Sequence, residues 1–512
     1  MTRTKAATKV IPQNIIVGKD VLELLSSSMY INPLTIYREY VQNAADAIDT
    51  AIAQGALSPE DARIDITMDP ATWSIKIRDN GSGVENKSFT KRMTSLGASH
   101  KRGMHARGFR GVGRLAGLGY CHELVFRSRA EGDPEVQEIH WDCKKLKTLL
   151  SDPHFEGDLS SLVREIVTVR SIEGDTYPTR FFEVELVKAF RLSNGILLNE
   201  SAVENYLAQV APVPFKPDFK FGAEIKDFVT AHVSLGEYSI FLNDAHGPIY
   251  RPYTNEVRYS DDRVGEVYDP QFFVLENMDG EPAAVGWLLH HDYQGAIPNS
   301  TYMKGLRARS GNIQVGHHNL FRESYPETRF NSWTIGELHI IDEKIMPNGR
   351  RDHFEQNNHF YNLETQLTPY LHEIGRKCRS SSEIRNRLKT FASKEFQIEE
   401  NINVLAQGAV SKTFANNTRK NSSSILSEMR AISEFERMPD LLAKDLTKRI
   451  NKLEKTVVKI SDNKNTSSDP LMGIPEKKRR IYSEVFDLIY ESAPNQTVAK
   501  SIIDKVLARI QV

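Results

Sequence analysis

The hydrophobic and polar positions of the chain change their period along its length. In residues 36–50, IYREYVQNAADAIDT, one set of apolar or small side chains recurs every three or four residues. The set consists of Tyr37, Val41, Ala44 and Ile48. This period predicts an amphipathic helix with one face on a core. Residues 63–68 (RIDITM) and 74–78 (SIKIR) alternate apolar and polar positions instead, which predicts a hairpin that turns at Asp69-Pro70.

Beyond residue 215 the pattern is strand-rich, and it becomes helical after about residue 380. The segments that predict strands are 231–234, 238–242, 284–290 and 312–315. Residues 306–316 predict an extended segment with a hairpin turn at Ser310-Gly311. In the helical part, apolar residues step by four, three, four and three at Leu446, Ile450, Leu453, Val457 and Ile460. This spacing predicts either a short coiled coil or a packed helix hairpin. Residues 463–475 predict a linker.

The length and composition limit the classes of protein to which the chain can belong. A chain of 512 residues is too long for one core, and its 40% hydrophobic and 26% charged residues are typical of globular domains. A net charge of −1 gives no global attraction to nucleic acid or to an anionic membrane. The sequence has no signal-like apolar start and no run near the ~18 apolar residues of a membrane span. Three cysteines without CxxC spacing favour a reducing compartment, and we expect a cytoplasmic protein.

The same predicted helix carries a row of polar residues beside its apolar face. Glu39, Asn43 and Asp46 follow each other at i, i+4 and i+7, so they lie in one row. Carboxylate and amide oxygens can hold a hydrated Mg²⁺ and orient a water molecule. The alternative is an ordinary solvated helix face.

A second motif follows the predicted hairpin. Asp79 ends the second strand, and Gly81 and Gly83 come directly after it. The carboxylate could accept a hydrogen bond from an exocyclic amine, and the glycines leave room for a flat ring. A plain tight turn is an equally good interpretation of the same letters.

A third motif is rich in glycine and basic residues. It contains Lys101 and then the run Gly108-Phe-Arg-Gly111-Val112-Gly113. Glycines before a helix expose N–H groups that can surround phosphates. The pattern is not the GxGxxG of dinucleotide-binding domains, and a flexible basic surface loop is the alternative.

In this order and over this short distance, the three motifs resemble the ATP-binding domain of the GHKL superfamily. That superfamily comprises gyrase, the ninety-kilodalton heat-shock chaperones, histidine kinases and MutL. The resemblance implies an α+β fold: a two-layer α/β sandwich of the Bergerat type, then a second α/β domain and an all-helical C-terminal region. The predicted domains are 1–190 (ATP-binding), 191–378 (middle, transducer-like) and 379–512 (helical, for dimerisation or partner binding).

The resemblance also implies a role for each motif. Glu39 would activate the attacking water, Asn43 would coordinate Mg²⁺, Asp79 would bind the adenine amino group, and residues 84–113 would form a lid. The remaining ATP-binding positions are Asp46, Ala47, Gly81, Gly83, Lys101, Gly108, Gly111, Val112 and Gly113. The family also has a threonine that opens a late strand. Thr179 is the better candidate because Phe182, Val184 and Leu186 alternate after it, and Thr176 is the alternative.

Two features favour the chaperone branch of the superfamily. Histidine kinases typically lack a general base at the position of Glu39, whereas residues 32–47, including Arg38, resemble the heat-shock chaperones closely. Residues 339–357, HIIDEKIMPNGRRDHFEQN, resemble the loop that lends an arginine to the γ-phosphate in those chaperones. The matching residue is Arg351, with Arg350 as the alternative. The alternative is that these two arginines are an ordinary basic pair in a surface loop.

The sequence therefore predicts an ATP-hydrolysing, Mg²⁺-dependent clamp that forms a homodimer and acts on a protein client or partner. The alternative is a nucleic-acid-associated clamp of the MutL or MORC type in a bacterial defence or repair system. The basic cluster Lys477-Lys478-Arg479-Arg480 could serve such a partner, although it could equally be a solvated helix start.

Overall fold

The computed structural model describes most of the chain. The described residues are 18, 19, 22, 32–95, 113–155, 157–243, 247–260, 263–462 and 470–510. They fall into two compact units, residues 1–375 and 376–512. The domain boundaries predicted at 190 and 378 stay predictions. Residues 20–28, whose apolar positions Val21, Leu22, Leu24 and Leu25 predict a short helix, lie almost entirely outside the described residues.

The first unit contains a seven-stranded sheet with the spatial order β5-β4-β3-β6-β2-β1-β7. Its strands are β1 (Arg63–Asp69), β2 (Ser74–Asp79), β3 (Glu123–Arg129), β4 (Glu135–Asp142), β5 (Val167–Glu173), β6 (Phe181–Val187) and β7 (Ser239–Leu242). Neighbouring strands are antiparallel except β1 and β7, which are parallel. The predicted hairpin of β1 and β2 and the predicted strand β6 are confirmed.

Helices accompany this sheet and share one core with it. They are α1 (Thr35–Ala53), α2 (Asn86–Thr94), α3 (Cys143–Ser151), α4 (Leu159–Ile166) and α5 (Glu200–Val210), with a 3₁₀ helix at Gly113–Gly119. The predicted apolar row of α1 is fully buried in the core, where each large apolar side chain contributes roughly 1.5–3 kcal/mol. The two-layer α/β sandwich is confirmed.

A six-stranded sheet follows, with the order β12-β11-β13-β10-β9-β8. Its strands are β8 (Glu256–Arg258), β9 (Val264–Glu276), β10 (Pro282–His291), β11 (Gly305–Ser310), β12 (Ile313–Val315) and β13 (Ile335–Ile340), and helix α6 spans Gly222–Thr230. The strand predicted at 231–234 is wrong. Ala231 instead caps α6 by donating its N–H to Asp227 O, and Val233 packs against the same core cluster as Ile225 and Val229.

The hairpin predicted over 306–316 is confirmed, with its turn one residue later than expected. β11 and β12 pair from Ser310 to Ile313, and the two residues between them, Gly311 and Asn312, both have positive φ (58° and 60°). Two left-handed residues in a two-residue loop define a type I′ turn, which matches the twist of the flanking strands. This hairpin is therefore tight and well defined.

The second unit is helical throughout the described part. The helices are α7 (Asn358–Gln407, within which the unit boundary falls), α8 (Lys412–Ser433), α9 (Asp440–Asp462), α10 (Glu476–Ser492) and α11 (Gln496–Ile510). Leu446, Ile450 and Val457 of α9 are buried against α8, so the predicted seam belongs to a packed helix pair. No helix in the described ranges combines the length and the apolar character that crossing a membrane requires.

Candidate functional site

The polar row of helix α1 does not face solvent. Glu39 and Asp46 expose only 7% and 6% of their surface, and Asn43 is half-buried. The 3₁₀ helix Gly113–Gly119 packs on this side of α1, where the Tyr40 hydroxyl accepts a hydrogen bond from Gly117 N–H (2.8 Å). The interpretation of this row as an ordinary solvated face is therefore wrong.

Two neighbours fix the position of the Glu39 carboxylate. Arg38 Nη2 lies 3.0 Å from Glu39 Oε1 in a buried ion pair. On the other side, a Cβ atom added to Gly113 would lie 2.4 Å from Glu39 Oε2. Real side chains do not tolerate such a contact, so the last glycine of the third motif lets the chain pass directly beside the acid.

Arg38 also contacts the loop that follows β13. The same Nη2 atom donates a hydrogen bond to the main-chain carbonyl of Arg350 (3.0 Å). The loop is a compact turn in which Asn348 N–H bonds to His353 O (2.8 Å) and Asn348 Nδ2 to Asp352 Oδ1 (2.6 Å). The structure thus brings together the first motif and the loop at 339–357, which lie some 300 residues apart in the sequence.

Arg351 is held within this loop and is not a free surface side chain. It exposes 7% of its surface and has a left-handed backbone, with φ of 56°. Its carbonyl accepts a hydrogen bond from Gly316 N–H (2.8 Å), at the end of β12. A left-handed arginine costs on the order of 1 kcal/mol and persists only where its surroundings impose it.

The second motif packs against α1. Gly81 would place an added Cβ 2.5 Å from the main-chain carbon of Ala47, and Ser82 N–H donates to Ala47 O (3.0 Å). Asp79, 4% exposed, accepts a hydrogen bond from Gly81 N–H at Oδ1 (2.9 Å). Gly83 has φ of 64°. The sequence DNGSG therefore forms a tight turn, and it also brings Asp79 close to the helix that carries Asn43 and Asp46.

Of the remaining predicted site residues, some lie outside the described ranges and the others lie in an exposed turn. Lys101, Gly108, Gly111 and Val112 lie outside the described residues. Thr179 and Thr176 are exposed in the turn before β6, and Thr179 precedes the strand by two residues. The neighbouring Arg180 donates to Ala56 O (2.6 Å) and Asn80 O (3.4 Å), which places this turn beside the second motif.

Sequence reasoning missed Ser128, which joins the second motif to the start of β6. Its hydroxyl accepts a hydrogen bond from Val84 N–H (2.9 Å) and donates one to Phe181 O (3.0 Å). Ser128 is fully buried. The sequence feature that could have indicated Ser128 is a small polar residue in a strand whose other residues are apolar or charged.

The donor set on α1 fits magnesium bound together with a nucleotide. No cluster of three or more His, Cys, Asp or Glu side chains suited to a metal ion occurs in the described ranges. Mg²⁺ is usually held by one or two protein oxygens together with phosphate oxygens and water. The Asn43 amide oxygen, beside the buried carboxylates of Glu39 and Asp46, is a suitable ligand of that kind.

A buried acid on a helix, a strand-end carboxylate on a glycine turn and a glycine beside the acid lie together in this part of the fold. Residues 34–155 match the model of a family described as histidine kinase-, DNA gyrase B-, and HSP90-like ATPase. This part of the chain is therefore a GHKL-type ATPase domain, as the resemblance implied.

Among curated proteins, the chain is similar to the chaperone protein HtpG of several bacteria. It is 30% identical to HtpG of Acinetobacter baylyi over 138 residues, which cover 23% of this chain and 22% of that protein. It is 27% identical to HtpG of Actinobacillus succinogenes over 141 residues, or 24% of this chain and 22% of that protein. The matched stretch thus spans less than a quarter of these relatives. The similarity places the domain in the HSP90-like branch.

Proposed function

We propose that the protein binds and hydrolyses Mg·ATP and works as an ATP-gated conformational clamp of the HSP90-like type. The observation that carries this proposal is the position of Arg38. One guanidinium nitrogen pairs with Glu39 Oε1 and also donates to the carbonyl of Arg350, each at 3.0 Å. The candidate base and the loop with the candidate arginine are thus joined by one side chain.

Glu39 would orient the attacking water and accept its proton. Burial and the ion pair with Arg38 hold the carboxylate in one place, and a fixed position is the first requirement for a general base. Arg351 would stabilise negative charge that develops on the γ-phosphate, as an arginine finger does. The loop beside Glu39 is where such an arginine is needed.

The nucleotide would lie across α1 and the second motif. Asp79 would accept a hydrogen bond from the adenine amino group, with Gly81, Gly83, Asp46 and Ala47 around it. Asn43 would hold Mg²⁺, which neutralises phosphate charge when it is bound. Lys101 and the third motif would cover the phosphates, and Thr179 would complete the site at the start of β6.

The outcome of ATP hydrolysis would be reopening of the clamp, so that the nucleotide state sets the conformation. We infer a homodimer, because α10 presents an exposed apolar stripe at helical spacing. It consists of Ile481, Val485 and Leu488, which are 59%, 43% and 60% exposed. A protein client or partner is the expected target. Cys121, Cys143 and Cys378 are buried and form no disulfide with one another, which agrees with a cytoplasmic location.

The nucleic-acid alternative finds less support at the basic cluster of α10. Arg480 pairs with Glu484 within the same helix (3.0 Å), and Arg479 donates to the carbonyls of Met472 and Ile474. Two of the four cations therefore have local partners. Strongly salt-dependent DNA binding that is lost when Lys477 and Lys478 are neutralised would restore this alternative.

The first test compares wild type with Glu39→Ala in steady-state ATP hydrolysis, nucleotide affinity and oligomeric mass. We expect turnover to fall by roughly 10²–10⁴, the usual contribution of a positioned base, while the affinity for a non-hydrolysable ATP analogue changes little. The analogue should also increase the fraction of dimer. Equal loss of binding and turnover would refute the role of Glu39, and an unchanged mass would refute the nucleotide-driven dimer.

A further inference from the structure

Three charged side chains are buried beside the C-terminal end of α5. We call Arg251, Arg309 and Glu337 the arginine cluster; they expose 1%, 1% and 0% of their surface. Arg309 Nε lies 2.7 Å from Glu337 Oε1, and Arg251 Nη1 pairs with Oε2. Burial alone would raise the pKa of Glu337, but the two guanidinium groups outweigh it and hold that pKa well below its usual range. The cluster is therefore charged, paired and fixed.

The outer donors of the cluster hold the main chain of the segment between α5 and the second sheet. Arg309 donates to Gln209 O (2.8 Å) and Ala211 O (3.2 Å), and Arg251 Nε donates to Val213 O (2.8 Å). These carbonyls lie at and beyond the C-terminus of α5, where a cation is favoured by the helix dipole. We call residues 209–213 the junction.

The tip of the β11–β12 hairpin is bound into the same cluster. Asn312, in the turn, accepts a hydrogen bond at Oδ1 from Arg251 Nη2 (2.8 Å) and donates from Nδ2 to Gly236 O (2.9 Å). Arg309 itself belongs to β11 and bonds to Asn312 O (3.1 Å). The turn of the hairpin and the junction are thus held by the same two guanidinium groups.

The far end of the hairpin touches the loop of Arg351. Gly316, just after β12, donates its N–H to Arg351 O (2.8 Å). A Cβ atom added to Gly316 would lie 2.9 Å from Asp352 O, so hairpin and loop are in close main-chain contact. The β11–β12 hairpin is therefore bonded to the arginine cluster at its turn and to the loop of Arg351 at its other end, which gives a continuous chain of contacts between the two.

We infer that the β11–β12 hairpin sets the position of Arg351 according to the position of the junction, with Arg309 as the positioning residue. The inference rests on the proposed function, since it assigns a cause to the placement of the catalytic arginine. Arg309 lies in a buried cluster and acts through the hairpin. We therefore expect that loss of the hydrogen bonds from Arg309 to the junction lowers turnover and leaves nucleotide affinity unchanged.

The test variant is Arg309→Lys, in which the positive charge beside Glu337 is kept. A lysine cannot reproduce the planar fork that reaches Gln209 O and Ala211 O at once. We expect kcat to fall about 10-fold, the size expected for one lost charge-assisted hydrogen bond. The affinity for a non-hydrolysable ATP analogue should stay within about twofold. Arg258→Lys, at an exposed arginine of β8, is the matched control and should behave as wild type.

A double-mutant cycle with Arg351→Ala separates positioning from general damage. If Arg309 acts through Arg351, adding Arg309→Lys to Arg351→Ala should cause no further loss of kcat. Additive losses would show that Arg309 only supports the fold and would overturn the inference. Normal turnover of Arg351→Ala alone would instead refute the proposed role of Arg351 itself.

A second variant guards against poor folding of Arg309→Lys. In Asn312→Gly, the positive φ of the turn suits glycine, so the backbone is kept while the bonds to Arg251 and Gly236 are lost. We expect a smaller fall in kcat with the same lack of additivity. Circular dichroism melting identifies any variant that is not folded. Unchanged kcat in both folded variants would overturn the inference.

Discussion

The substitution Gly113→Ala tests whether the position of the Glu39 carboxylate limits turnover. The added methyl group would lie 2.4 Å from Glu39 Oε2, whereas ordinary contact begins at 3.4 Å, so the carboxylate must move by roughly 1 Å. The atom that must move is the end of a flexible side chain, and its displacement costs only about 0.5–1.5 kcal/mol. A misplacement of about 1 Å in a catalytic group can nevertheless cost about 100-fold in rate.

The assay is steady-state ATP hydrolysis, with analogue binding and thermal unfolding measured in parallel. We expect kcat to fall by about 100-fold with little change in affinity or melting temperature. Gly473→Ala is the matched control, because its added methyl group meets no atom within 4 Å. In a Glu39→Ala background, Gly113→Ala should cause no further loss. Turnover within twofold of wild type, or a loss that persists without Glu39, would refute the reasoning.

The remaining predictions concern the second motif and one buried histidine. Asp79→Asn should weaken ATP binding itself, and unchanged affinity by calorimetry would exclude the adenine contact. Gly81→Ala would press a methyl group into the main chain of Ala47, and denaturant unfolding should show a loss of about 1–3 kcal/mol. Burial lowers the pKa of His291 to about 4, so the native state binds this proton less readily than the unfolded chain. The contribution of His291 to the free energy of unfolding is therefore fully present above about pH 6.5. It falls by up to about 1.4 kcal/mol per pH unit towards pH 4. His291→Asn should flatten that slope between pH 7 and 5, and an unchanged slope would assign it to other groups.

The elements of the ATPase domain could be predicted because their pattern is local. The rows of α1 repeat every three to four residues, and the alternation in β1, β2 and β6 needs only one chain segment to be recognised. The motifs themselves also follow short spacings. Residues 34–155, which match the family model, contain the first two motifs and the glycine run.

The contacts between distant segments could not be predicted from such patterns. In β11, LRARS, the alternation suggests that Arg307 and Arg309 point to solvent, yet each exposes only 1%. The chain leaving α5 accepts hydrogen bonds from Arg309, whereas Arg307 donates to Gln314 and to the carbonyl of Tyr302, and only the folded structure supplies these partners. The approach of Gly113 to Glu39 is likewise a long-range contact. The sequence of a glycine motif does not identify the side chain that its backbone contacts.

The hydrogen bond between Arg38 and the loop of Arg351 ends on a main-chain carbonyl, that of Arg350. Every amino acid offers the same carbonyl, so this contact is insensitive to the identity of residue 350. In a saturation mutagenesis screen for activity, position 350 should tolerate many replacements, whereas position 38 should tolerate few. Related sequences should therefore vary at position 350, although the main chain at this position joins helix α1 to the loop of Arg351.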